Sequence, residues 1–165
     1  MPALGGWIGG GRVDQIGIIV PDLTHAMDAY LATFGAPFAV FEVSETNSAF
    51  SGSSERFRLR IAVALAGAVS VELIQPVSGT TLHSRHLETH GPGLHHLGTH
   101  VTSLAKAGKG LAAQGYRPVL EGWIRGLGKF AYYEAPDLHT IVEPLQLSLS
   151  LPLFLAKHAT WYSGG

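Results

Sequence analysis

Short β-branched runs alternate with stretches of helical spacing along the chain, and the series runs twice. Residues 13–20 (VDQIGIIV) are rich in Ile and Val and predict a strand. Pro21 breaks the run, and Asp22 is placed to cap a helix. Leu23, Met27, Tyr30, Leu31 and Phe34 then recur at helical spacing, with Gly35 as the stop. Residues 37–43 predict a second strand. The polar segment 46–54 predicts a loop. Residues 57–66 and 68–75 predict a hairpin turned at Gly67. The first half therefore reads β-α-β-β-β.

Residues 79–93, rich in Gly, Thr and His, predict a linker. The series then restarts. Residues 94–101 (LHHLGTHV) predict a strand, and Thr102 or Ser103 can cap a helix that runs to Gln114. Residues 116–123, 127–134 and 140–147 predict three more strands. The expected organisation is a flexible N-terminus (1–12), a first module (13–78), the linker (79–93), a second module (94–147) and a C-terminal packing tail (148–165). The fold class is α+β, with two tandem βαβββ modules.

The modules align without gaps at their first strands. Gly17 falls on Gly98, Val20 on Val101 and Leu23 on Leu104, which places Gln15 on His96. Late in each half, Val71-Glu72 matches Val142-Glu143. Two matches in the same order, each at the same place in the strand series, mark an internal repeat.

Composition narrows the function classes. With 165 residues the chain can bury a core as one domain or as two halves that share one. There is no Cys, so disulfides, thiolate metal ligands and a Cys nucleophile are excluded. A formal net charge of −1 offers nothing to nucleic acid or an anionic membrane. No apolar run is long enough to span a bilayer, and the N-terminus lacks a basic region before an apolar one. A cytoplasmic protein is expected by default. Neither GxGxxG nor a P-loop is present.

The paired positions carry the candidate chemistry. Strand alternation puts Gln15, Gly17 and Ile19 on one face, and His96, Gly98 and His100 on one face. Gln15, Glu72, His96 and Glu143 together offer one nitrogen and three oxygens. That set suits one divalent metal ion: Zn, Ni, Co, Mn, Fe or Mg. Gly17 and Gly98 beside these residues are expected to leave room for a substrate. His95 is expected to point away from His96. His83, His86 and His90 fall in the linker and are expected at a solvated or partner-facing surface. Arg56, Arg58 and Arg60 alternate along one strand, as if guarding an outer edge.

The motifs VDQIGIIV, VELIQP, GLHHLGTHV and YYEAPDLHTIVEPL resemble those of the vicinal oxygen chelate superfamily. It includes glyoxalase I, methylmalonyl-CoA epimerase, extradiol dioxygenases and bleomycin-resistance proteins. The resemblance covers residues 13–147 and implies paired βαβββ modules that wrap a metal in a cupped mixed sheet. It implies Gln15, Glu72, His96 and Glu143 as the ligands and a small substrate with vicinal oxygens. It also implies a homodimer. The reaction implied is isomerase, epimerase or lyase chemistry by proton transfer next to a carbonyl. Glu143 is the first choice as base, Glu72 the second, and His100 a further acid or base. Two alternatives are a non-catalytic protein that sequesters a drug or metabolite, and an extradiol-type dioxygenase. The latter wants two His and one carboxylate, which Gln15 does not supply.

Overall fold

The computed structural model describes residues 12–136 and 140–164. In the first half, β1 (Gln15–Ile19) leads into α1 (Leu23–Phe34), β2 (Phe38–Ser44), β3 (Ser48–Phe50), β4 (Arg58–Ala66) and β5 (Val69–Ser78). A helix α2 (Leu82–His90) follows. The second half contains β6 (Gly93–His100), α3 (Leu104–Ala113), β7 (Arg117–Ile124), β8 (Gly128–Glu134) and β9 (Ile141–Leu147). The chain closes with α4 (Leu151–His158) and β10 (Thr160–Tyr162).

All ten strands join one curled sheet in the order β10-β2-β4-β5-β1-β6-β9-β8-β7-β3. The repeat is visible in the pairing. β1 runs parallel to β5, and β6 runs parallel to β9. β1 and β6 meet antiparallel at the centre, so the two halves join through their first strands. This mixed α+β sheet is the architecture expected from the pattern. Among the described residues, no helix is long and apolar enough to cross a membrane.

Local chemistry sets the helix ends. The Asp22 carboxylate accepts from the His25 N–H at 3.0 Å, and Gly35 adopts φ 68° at the other end of α1. Ser103, one of the two expected caps, accepts from the Lys106 N–H at 3.3 Å. The outer helices cover one face of each half. Leu23 and Met27 of α1 pack on Ala62, Ala64, Val71 and Leu73, while Leu111 of α3 packs on Ala131 and Tyr133. The opposite face of the sheet holds the largest cluster, which includes Phe41, Leu59, Ile61, Phe130, Tyr132 and Phe154 of α4.

Four sequence expectations change. Segment 46–54 contains the short strand β3, which pairs with β7 of the other half at register Ala49↔Trp123. Its polarity hid a strand whose partner is distant in sequence. The expected linker contains α2. Thr81 and Ser84 form a reciprocal capping box at its start, with Ser84 N–H to Thr81 Oγ1 at 3.1 Å and Thr81 N–H to Ser84 Oγ at 2.9 Å. His83, expected at a surface, is 2 % exposed. Arg58 and Arg60 lie on β4, which is interior to the sheet between β2 and β5, so they guard no edge. The tail packs on the body through Phe154, whose ring meets Phe41 edge-on at 5.4 Å between centroids. Leu138 and His139, within YYEAPDLHTIVEPL, lie outside the described residues.

Candidate metal centre

The sheet register builds the site. Gly17 pairs with Glu72 on one side and with His96 on the other. Gly98 pairs with Glu143 on one side and with Gln15 on the other. These are the same two pairings, exchanged between the halves. Each central strand thus sets a glycine opposite the other strand's polar residue and beside its own half's glutamate.

The glycines serve the polar residues and not a substrate. A Cβ at Gly17 would fall 2.0–2.4 Å from Cε1, Nε2 and Nδ1 of the His96 ring. A Cβ at Gly98 would fall 2.8 Å from Cβ and 2.9 Å from Oε1 of Gln15, and 3.5 Å from Oε2 of Glu143. The space expected for a substrate is occupied by the imidazole and the amide.

Three of the four expected residues offer ligand atoms that lie within 4.8 Å of one another: Glu72, His96 and Glu143. His96 Nε2 is 3.3 Å from Glu72 Oε2 and 3.1 Å from Glu143 Oε2. His96 is fully buried. Its Nε2, Glu143 Oε2 and Gln15 Oε1 are buried atoms without a hydrogen-bond partner. His96 and Glu143 are therefore close but misaligned for a hydrogen bond. A buried polar atom left unmatched is costly. Several sharing one place fit a divalent cation, with nitrogen and oxygen donors of borderline to hard character.

Electrostatics agrees with this. Burial disfavours a charged His96, but the Glu143 and Glu72 carboxylates outweigh burial and push its pKa up to about 10. Burial also raises Glu143 above the ordinary carboxylate value, with His96 opposing and Glu72 adding to the rise. A cation at these atoms would take the place of the His96 proton.

A pH dependence follows for the metal-free protein. In the unfolded chain His loses its proton near pH 6.5. Folded His96 keeps it to about 10. Its contribution is complete below about pH 6.5 and disappears as pH rises through about 10. Thermal midpoints of chelator-treated protein are expected to fall across that window. Protein loaded with Zn should lack this loss over the same range.

The second layer includes residues the sequence reading missed. His95 is buried, and its Nδ1 lies 3.0 Å from His96 Nδ1. With His96 Nε2 turned to the carboxylates, Nδ1–H donates to His95. Burial, with other imidazoles nearby, holds His95 well below the usual His range, so it stays neutral and can accept. Strict alternation breaks down here for a physical reason. Gly17 pairs with His96 but Ile18 pairs with Leu94, so His95 is the extra residue of a β-bulge. Tyr132 lies against His96 with centroids 5.0 Å apart, and its hydroxyl is 3.0 Å from His83 Nε2. Through this contact α2 braces the site. Burial lowers His83 to about 3, so it too is neutral. His95→Ala is expected to weaken Zn binding about 10- to 100-fold, the usual cost of losing a residue that orients a ligand. Titration against a competing chelator, with circular dichroism to confirm the fold, checks it.

A cavity of about 450 Å³ lies beside the ligand atoms. Gln15, Glu72 and Glu143 line it, and so does His100, the expected additional acid or base. The His100 backbone N–H is fixed by Asp14 Oδ2 at 2.9 Å, while its side chain is exposed.

Residues 14–133 match the family described as Glyoxalase/Bleomycin resistance protein/Dioxygenase superfamily. The chain belongs to this superfamily. Solved structures of similar fold include methylmalonyl-CoA epimerase from Mycobacterium tuberculosis, at 21 % identity and a TM-score of 0.67, covering 85 % of this chain and 90 % of that one. A hypothetical protein from Bacillus halodurans is similar at 18 % identity and a TM-score of 0.63, covering 83 % of this chain and 94 % of that one. A Streptomyces coelicolor methylmalonyl-CoA epimerase variant in complex with 2-nitronate-propionyl-CoA is similar at 18 % identity and a TM-score of 0.55, covering 83 % and 97 %. No curated protein matches the chain. Superfamily proteins commonly bind a divalent metal, and Glu72, His96 and Glu143 form a group that could hold one.

Proposed function

We propose that the protein is a divalent-metal-dependent isomerase, epimerase or lyase that moves a proton next to a carbonyl. One observation carries the reading: unpartnered buried ligand atoms from both halves converge at a cavity able to hold a small molecule. Gln15, Glu72, His96 and Glu143 would hold the ion. When bound, such an ion is a Lewis acid that stabilises negative charge developing on a substrate oxygen.

The chain's own groups do the rest. Glu143 lines the cavity, and burial makes its carboxylate a stronger base, so it takes the proton from carbon. Glu72 reaches the same place from β5 and can hold a proton on its own side. Two carboxylates from opposite halves suit a reaction that removes a proton and returns it. His100 is placed to exchange protons with solvent.

Deuterium wash-in tests this. Metal-loaded protein in D₂O is expected to exchange the hydrogen next to the carbonyl of a small hydroxyketone or of an acyl-pantetheine thioester. Absence of divalent metal after purification without chelators, together with no affinity on titration, would sink the reading. The apolar cavity favours one second reading, a sequestering protein. That reading expects tight ligand binding with no exchange on any carbonyl compound.

A further inference from the structure

We infer that the substrate is an uncharged molecule with two adjacent oxygens at one end and an apolar body, and that no nucleotide tail is held. This rests on the metal-centred reading above and extends it to the substrate class.

The cavity is two-sided in its chemistry. Its polar groups, Gln15, Glu72, Glu143, Ser70 and Tyr132 among them, come from the central strands and β8. The opposite walls are hydrocarbon. Leu59, Ile61, Val63 and Leu65 alternate along β4 and all line the cavity. Leu151 and Leu155 of α4 and Trp161 of β10 form a further wall. The rim is apolar as well, since Leu65 is 72 % and Trp161 67 % exposed, while both line the cavity.

No Lys or Arg lines the cavity among the described residues. The chain has eleven such residues, and five of them are seen to be placed elsewhere. Arg58 and Arg60 alternate with the cavity-lining residues of β4, so they leave by the opposite face. Arg12 is committed to Asp14, with Nε 2.9 Å and Nη2 2.6 Å from Oδ1, and Arg117 to Glu134 at 2.8 Å. Lys129 lines a separate shallow depression. The anionic side chains that line it, Glu72 and Glu143, are the ones the ion would occupy, and they offer a phosphate nothing. A coenzyme A tail carries several phosphate charges and would find no Lys or Arg among the residues that line this cavity. An alkyl chain or ring finds walls that match it.

Zn-loaded full-length protein titrated calorimetrically with acetohydroxamic and octanohydroxamic acid tests the tail. Both carry the same two-oxygen head. Each added methylene buried here should tighten binding about fourfold, so six methylenes give a ceiling of roughly four-thousandfold. A gain of at least a hundredfold is expected, and equal affinities would overturn the inference. Leu65→Lys changes an exposed position on the apolar rim. It should remove about tenfold of the gain that the longer chain brings.

Hexanoyl-pantetheine against hexanoyl-CoA tests the nucleotide. Affinities within threefold support the inference, and a preference above tenfold for the CoA thioester overturns it. Neither thioester depends on a hydroxamate head. Failure of both hydroxamates with hexanoyl-pantetheine still bound would strike the metal-centred reading and leave the assignment of an apolar substrate body standing.

Discussion

Replacing Glu143 with Gln is expected to lower proton exchange by about 10²- to 10⁴-fold, the usual contribution of a positioned general base. The substitution keeps the shape of the side chain and one carbonyl oxygen, so fold and cavity should survive. It removes the charge. The carboxylate lies 3.1 Å from His96 Nε2, and the Coulomb attraction that raises His96 is largest from this residue. The metal-free variant should therefore also lose much of the alkaline sensitivity of its thermal midpoint. Exchange must be measured at saturating metal, because affinity will drop with the lost charge. If exchange then persists at the parental rate, the base is elsewhere. Glu72→Gln would be the next variant, with a smaller loss expected if Glu72 only returns the proton.

The second large effect concerns a residue without a side chain. Gly17→Ala is expected to weaken Zn binding more than a hundredfold and to destabilise the fold by about 1–3 kcal/mol, the range for overpacking a close-packed interior. The new methyl would overlap the His96 ring at 2.0–2.4 Å. The ring is fully buried, with Tyr132 against it and His95 on its other nitrogen, so it has no retreat. Gly98→Ala is the internal comparison. Its methyl would meet Cβ of Gln15 at 2.8 Å and Oε1 at 2.9 Å; a turn of the side chain relieves only the second contact, but the His96 ring is spared. A smaller loss is expected there. Urea unfolding with and without Zn, alongside direct titration, gives both numbers. Equal affinity in the Gly17 variant and the parent would mean that His96 does not bind the ion.

Much of this architecture was legible along the chain. The first strands, α1, the hairpin at Gly67 and the order within each half follow from periodicity and punctuation. The repeat made Gln15 the equivalent of His96 and Glu72 the equivalent of Glu143, and the sheet brings Glu72, His96 and Glu143 together. What was hidden depends on partners far away in sequence. β3 is a strand only because β7 accepts it. α2 looked like linker because its inward residue is a histidine, a residue type usually read as surface. His95 was misplaced because strict alternation holds only for an unbroken ladder, and the bulge between β1 and β6 breaks it. The adjacent pair His95-His96 beside a repeat position was the available signal. The role of Gly17 and Gly98 was read with the right residues and the wrong occupant.

The seam between β1 and β6 also bears on how the protein folds. Gln15 and Glu143 are 128 positions apart, and each glycine makes room for a side chain of the other half. Neither half contains a finished site, and the contacts that complete it are among the longest-range in the chain. Closing them costs entropy before any contact rewards it. Metal that binds only the fully paired chain adds stability by mass action, about 2.7 kcal/mol at a hundred times its dissociation constant. Either half expressed alone should ignore the ion, and mixing the halves should restore binding only as the two first strands zip together.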